Sequence, residues 1–292
     1  MHFYFYIIKY MLIDTHSHLN FKSYENNRDE VIERTLGSGV FMINVGSKYE
    51  TSKMAVEIAE KYKKGIYAAI GLHPMHATAE IMKIKTDPEE GGFVSSGEEF
   101  DKEKYRGLAK SKKVVAIGEI GLDYYYKPKT KAKLEQFKEK QRQVFLEQLE
   151  LAQELNLPVV LHCRMAHRDL IGVLKSKIIN YKLKGVVHCF TGNWEQAQKY
   201  LEMGFYIGLN GIIFKMDLDE VIEKTPLDKI LLETDCPYLT PPQEGNVRNE
   251  PIFIKHVAEK IAGLRNISFE EVAKKTTQNA KNLFKILTFD IL

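Results

Sequence analysis

Five apolar runs of the sequence end in residues that bind metals. They close on Asp14-Thr15-His16-Ser17-His18, on Gly118-Glu119-Ile120-Gly121-Leu122-Asp123, on His162-Cys163-Arg164, on His188-Cys189-Phe190 and on Glu233-Thr234-Asp235. Side chains alternate along a strand with a period of two, so His16 and His18 point to one side and can share a cation. Glu119, His162, His188 and Asp235 each arrive from a different run. Imidazoles and carboxylates together suit Zn²⁺ or Mn²⁺. Six such groups exceed what one tetrahedral ion uses, which predicts two divalent ions (Zn, Mn or Mg) sharing a carboxylate. One histidine or carboxylate at a strand end is ordinarily a hydrogen-bonded rim residue. That explanation is hard to sustain at five strand ends together.

Cys163, Cys189 and Cys236 each directly follow one of these groups. A step of one residue turns a strand side chain to the other face, so the three are expected as small buried groups against the helices, not as thiolate ligands. Three cysteines give no disulfide framework and fit a reducing compartment. The opening apolar stretch, 3–8, is far short of the roughly 20 residues of a membrane span and lacks the flanks of a secretory signal. The chain is therefore expected in the cytoplasm, with no membrane partner and no obligate protein partner.

The elements that must position these residues are legible in the pattern. Short β-branched runs at 11–16, 41–45, 66–71, 114–119, 158–162, 185–188, 205–209 and 230–234 alternate with amphipathic stretches, which argues for a parallel sheet with crossover helices. The clearest helix is 133–155, where Phe137, Val144, Phe145, Leu149 and Ala152 recur at helical spacing. Residues 51–62 carry Met54, Ala55 and Ile58 on one face. Two closing helices are predicted at 252–262 and 268–284, the second opened by a Ser268/Glu271 capping pattern. Eight such units over 292 residues are the arithmetic of an α/β (β/α)₈ TIM barrel. A doubly wound sheet would want a glycine-rich turn after its first strand, and none is present. The predicted domain runs over 11–287. Residues 1–10 are read as a disordered leader or a mis-start, with Met11 as an alternative beginning, and the acidic, glycine-rich stretch 86–101 as a solvated surface loop.

In order, IDTHSHL at 13–19, GLHP at 71–74, GEIGLDYY at 118–125, PVVLHCR at 158–164, HCFTG at 188–192, LLETDCPYL at 231–239 and RNEP at 248–251 span almost the whole chain. In this ordered set the chain resembles the TatD family of metal-dependent deoxyribonucleases, within the amidohydrolase-like barrels. The resemblance implies one ion on His16, His18 and Asp235, a second on His162 and His188, and Glu119 between them. It also implies hydrolysis of DNA, often 3′ to 5′ on single strands. Residues 1–10 have no family counterpart, the loop after His73 is longer than usual, and the 241–247 segment lacks the basic residues common before RNEP.

Asp235 and Glu119 are the candidate catalytic residues, Asp235 as general base for a water activated by two ions. Arg164 shares the face of His162 and is placed to meet a phosphate oxygen; a salt bridge is the competing reading. His73 is a candidate phosphate donor or a support for the ligands. Arg248 and Glu250 are expected to pin the last loop, with Arg248 as a possible substrate contact. After the Glu119 motif come Tyr124, Tyr125, Tyr126, Lys127, Lys129, Lys131 and Lys133. Tyr125, Lys127 and Lys129 are expected to stack on bases and neutralise phosphates of single-stranded DNA, with at least one tyrosine kept in the core. A net charge of +3 does not by itself argue for DNA. The competing activities are hydrolysis of an amide, an ester or an aminoacyl-tRNA ester on the same centre, since fold does not fix substrate, and a metal-dependent nucleic-acid-binding module without turnover.

Overall fold

The computed structural model describes residues 11–82, 88–91, 97–178 and 183–286. Eight strands form one parallel sheet in chain order: β1 (Leu12–Ser17), β2 (Val40–Val45), β3 (Ile66–Ile70), β4 (Val114–Asp123), β5 (Val159–Arg164), β6 (Gly185–Val187), β7 (Tyr206–Leu209) and β8 (Ile230–Leu232). Helices α1 (Arg28–Gly37), α2 (Tyr49–Lys61), α3 (Pro74–Ala77), α4 (Ala79–Met82), α5 (Lys102–Leu108), α6 (Lys131–Leu155), α7 (His167–Ile178), α8 (Trp194–Glu202) and α9 (Asp219–Lys224) lie between strands, and α10 (Ile254–Arg265) and α11 (Phe269–Phe284) follow β8. The last strand returns to the first. Ser17 bridges Cys236, the Asp235 N–H donates to the His16 carbonyl at 2.9 Å, and Thr15 Oγ1 donates to the Leu232 carbonyl at 3.0 Å. This is the (β/α)₈ barrel that the alternation predicts.

Parallel strands are covered on both faces, so they read as near-continuous apolar runs. One face of each strand fills the barrel: Ile13, Phe41, Ile43, Val45, Tyr67, Ala69, Val160, Val186 and Leu231 form a single buried cluster. Leu283, Phe284 and Ile286 join it from the end of the chain, and Thr277 on α11 donates to the Met11 carbonyl at 2.7 Å. The other face packs on the helices, where Leu12, Met42, Ala68, Leu161 and Val187 meet Val31, Ile58, Phe145, Leu149 and Ile261. Helix α11 starts at its expected cap, Ser268 Oγ accepting the Glu271 N–H at 3.1 Å.

Several expectations shift. β6 and β8 end earlier than predicted, so His188 and Asp235 stand just beyond their strands. Met54 is exposed, because the inward face of α2 is centred on Ser52, Ala55, Ile58 and Ala59. The 86–101 stretch is not simply a solvated loop. Of its described residues, Glu90 is buried among Ser47, Lys48 and His76, and Glu98 accepts from the Tyr49 N–H and the Tyr105 hydroxyl. Glu90 and Glu98 thus turn toward the protein, which composition alone does not reveal, while Glu99 and Asp101 stay exposed. Residues 1–10 and 287 lie outside the described residues. Among the described residues, no helix is long and apolar enough to cross a membrane.

Candidate metal centre

The C-terminal ends of the strands gather all six predicted ligands into one buried mouth. On β5, β6 and β8 they follow an inner-core residue by steps of two: Val160 then His162, Val186 then His188, Leu231 then Glu233 and Asp235. On β1 and β4 the register slips, between Asp14 and Ser17 and between Ile117 and Ile120. Such irregularities re-aim side chains, and here they fall where His16 and Glu119 enter the mouth. Asp235 adopts a left-handed backbone, φ 57°, rare for a residue with a Cβ. Its N–H bond to His16 holds that turn.

Two groups of ligand atoms result. His16 Nε2 and His18 Nε2 are 3.1 Å apart, and Asp235 Oδ1 lies 3.8 and 3.5 Å from them. Glu119 Oε1 lies 2.6 Å from His162 Nδ1 and 3.1 Å from His188 Nε2, while its Oε2 lies 3.5 Å from His16 Nε2. The Glu119 carboxylate thus spans both groups. Each group brings its ligand atoms within 4.8 Å of one another, the spacing a cation needs. No cysteine belongs to either.

The surroundings fit a cation. His18 Nδ1 meets the Val45 carbonyl at 2.8 Å, which fixes the proton there and leaves a lone pair on Nε2 toward His16. A carbonyl or carboxylate on the far nitrogen is the usual support of a metal-binding histidine. Glu233, fully buried, plays that part for His188, its Oε2 lying 3.3 Å from Nδ1 and accepting the Cys189 N–H. Burial raises the Glu119 pKa, but the neighbouring histidines, His188 foremost, overcome it and hold the carboxyl well below its usual range. Glu119 therefore stays ionised and ready to bind.

The cavity at this mouth is about 460 Å³ and is lined by His18, Glu119, His162, His188, Asp235, Arg164, His73 and Tyr126, among others. Arg164 forms the salt bridge that was its competing reading, Nε and Nη2 lying 2.9 and 2.8 Å from Asp123 Oδ2; its guanidinium also covers the Tyr125 ring at 4.6 Å and borders the cavity. His73 caps α3, its Nδ1 accepting the Met75 N–H at 3.1 Å, and Nε2 points at Glu119 Oε1 from 3.6 Å. Burial, reinforced by neighbouring His162, pushes its pKa down to about 3, so the ring is a neutral donor. Tyr125, Lys127 and Lys129 are exposed, and Tyr124 is the tyrosine kept in the core.

Two expectations are corrected. Arg248 does not line this cavity; it bonds the Ser23 carbonyl and Asn27 Oδ1 and stacks on Tyr24 at 4.0 Å, pinning the loop after β8 to the loop after β1. Cys163 and Cys236 are buried as expected, but Cys189 is only partly buried; Cys163 and Cys189 both border the cavity. Cys189 lies beyond the end of β6 with φ 43°, where strand alternation no longer applies.

Three carboxylates had no role assigned in the sequence. Asp14 accepts from the Thr234 N–H at 2.9 Å and the Thr234 hydroxyl at 2.5 Å, locking β1 to the end of β8. Asp123 holds His162 Nε2 at 3.0 Å and Arg164. Glu233 orients His188. Each lies two or four residues from a ligand, so the same period of two was the available signal. Glu233→Gln is expected to weaken cation binding about 10–100-fold, the usual loss when such a support is removed. Calorimetric titration of the apoprotein with Mn²⁺ checks it, and unchanged affinity would assign Glu233 to packing alone.

A (β/α)₈ barrel that gathers six buried or half-buried histidines and carboxylates at its C-terminal mouth defines a metal-dependent hydrolase. Comparison with known proteins narrows this. The model of TatD related DNases matches residues 13–285. The chain is 40% identical over 280 residues to the metal-dependent hydrolase YabD of Bacillus subtilis, covering 94% of this chain and 100% of that one. It is 34% identical over 285 residues to the 3′-5′ ssDNA/RNA exonuclease TatD of Pantoea vagans, covering 94% and 100%. Among solved structures, the TatD homologue YjjV of Escherichia coli superposes with a TM-score of 0.77 at 31% identity, over 96% of this chain and 100% of that one. The chain belongs to the TatD family.

Proposed function

We propose that this protein hydrolyses phosphodiester bonds in DNA, single strands in preference, from the 3′ end. The observation that carries the reading is the Glu119 carboxylate spanning His16 on one side and His162 and His188 on the other. That geometry suits two ions, one on His16, His18 and Asp235 and one on His162 and His188. Divalent ions held there (Zn, Mn or Mg) would supply a lowered pKa for water and neutralise charge on a phosphodiester. Asp235 takes the proton of the attacking water: its side chain lines the cavity and keeps 15% exposure, against 0% for His16 and 4% for His18. Arg164 presents its guanidinium to a phosphate oxygen, held in place by Asp123. Neutral His73 donates toward Glu119 or the phosphate. The relatives named as single-strand exonucleases support this choice of substrate.

The rim supports it too. Exposed Tyr125, Tyr126, Met165, Met216 and Val247 all sit on loops that follow β4, β5, β7 and β8. The two tyrosine rings can stack on unpaired bases, and the apolar side chains widen the surface they offer. Replacing Lys127, Lys129 and Lys131 together by alanine is expected to flatten the log–log salt dependence of single-strand binding by up to about two units, at ~0.7 per phosphate contact. Fluorescence titration across a salt series measures the slope; an unaltered slope would return these lysines to solvent.

The direct test is a gel assay with end-labelled single-stranded DNA, with Mn²⁺ and with chelator. Laddering from the 3′ end that chelator abolishes is expected. Intact DNA under both conditions, alongside hydrolysis of an ester or amide, would replace this reading.

A further inference from the structure

The 88–91 turn belongs to none of the family motifs, yet it reaches the catalytic cavity. Its backbone is tied to the loop after β1: the Ser23 N–H donates to the Glu89 carbonyl at 3.0 Å and the Lys22 N–H to the Glu90 carbonyl at 3.4 Å. The Glu90 side chain, 7% exposed, points inward. Its Oε2 meets His76 Nε2 at 2.9 Å, its Oε1 accepts from the Ser47 hydroxyl, and Lys48 Nζ stands 3.7 Å away. Glu90, Ser47 and His76 line the same cavity as Glu119 and Asp235, whereas Lys48 does not. The His76 ring is 6.5 Å from His73, and His73 is 4.3 Å from His162. The turn therefore lies about two imidazoles beyond the metal-ligating side.

We propose that this turn is the end wall of the substrate cavity, and that Glu90 selects a strand terminus with a free sugar hydroxyl over one that continues through another phosphate. The inference rests on the nuclease reading and names the end that its site accepts. The cavity, at about 460 Å³, is near the lower bound for small-molecule sites and suits one nucleotide unit. With the scissile phosphate at the metal ligands, the terminal sugar projects toward the wall. A carboxylate is acceptor-only, so a sugar hydroxyl can donate to it and a phosphate cannot. Burial works against the charge, but the His76 and Ser47 hydrogen bonds bring the Glu90 pKa down to about 2, so the acceptor persists at neutral pH. Lys48 offsets part of that charge from outside the cavity and is not placed to receive a phosphate within it. The exposed rim side chains Tyr125, Tyr126 and Met165 are where the rest of the strand leaves.

Two measurements on the Mn²⁺-loaded protein test this. Calorimetry compares deoxyadenosine 5′-monophosphate with deoxyadenosine 3′,5′-bisphosphate, and a gel assay compares single strands ending in a 3′-hydroxyl or a 3′-phosphate. The native protein is expected to favour the hydroxyl form by about tenfold or more in both, the worth of one lost hydrogen bond to a charged group. Glu90→Gln and Glu90→Ala should shrink that ratio at least several-fold, with melting curves checking that the variants fold. An equal ratio in native and variant proteins, or no preference in the native one, would overturn the proposal. A binding preference that Glu90→Gln removes, with no DNA hydrolysed at all, would uphold the wall and reject the nuclease reading. Hydrolysis without an end preference would do the reverse.

Discussion

Replacing Asp235 by asparagine is expected to lower kcat by roughly 10²–10⁴ while substrate binding survives, the usual range for a lost general base. The substitution keeps the volume and one oxygen that can face His16 and His18, both within 4.0 Å of Asp235 Oδ1. It removes the oxygen that accepts the proton. Because the Asp235 turn is held through its backbone N–H on His16 rather than through its side chain, the barrel closure should not loosen. Single-turnover rates on labelled DNA, with the affinity measured separately, distinguish this from a binding defect. A variant near the native kcat would reassign the base.

Glu119→Gln is expected to cost more. One carboxylate lies within 4.0 Å of His16, His73, His162 and His188. An amide carries no charge to hold two cations, and losing several kcal/mol of charge stabilisation corresponds to about 10³-fold or more in kcat/KM. Elemental analysis should show fewer than two ions per chain, with circular dichroism unchanged. Two ions retained at full activity would end the shared-carboxylate reading.

Why were the ligands readable before the geometry, and their supports not? His162, His188 and Asp235 follow their inner-core neighbours by steps of two, so polarity and alternation suffice to place them. His16 and Glu119 lie at register slips, which no pattern of hydrophobicity announces; they were found as polar residues closing apolar runs, His16 also through its spacing from His18, and the slips that aim them were not visible. Asp123 and Glu233 were visible as residues but not as supports, since their partners come from other strands 39 and 45 positions away in the chain. Glu90 was harder still. Its neighbours Ser47 and His76 are 43 and 14 residues distant, and an acidic glycine-rich stretch ordinarily signals solvent. Cys189 failed for a local reason: β6 stops at Val187, and the rule of two stops with it.

The lock between Asp14 and Thr234 joins residues 220 apart in sequence. Its neighbours His16 and Asp235 are ligands of the same group, so that group spans almost the length of the chain. A ribosome exposes His16 and His18 long before Asp235 has been synthesised, and loop-closing contacts of this range form only when nearly everything between is in place. If the first group holds a cation as proposed, its uptake requires a closed barrel: a fragment that stops before β8 carries the two histidines without the carboxylate that faces them.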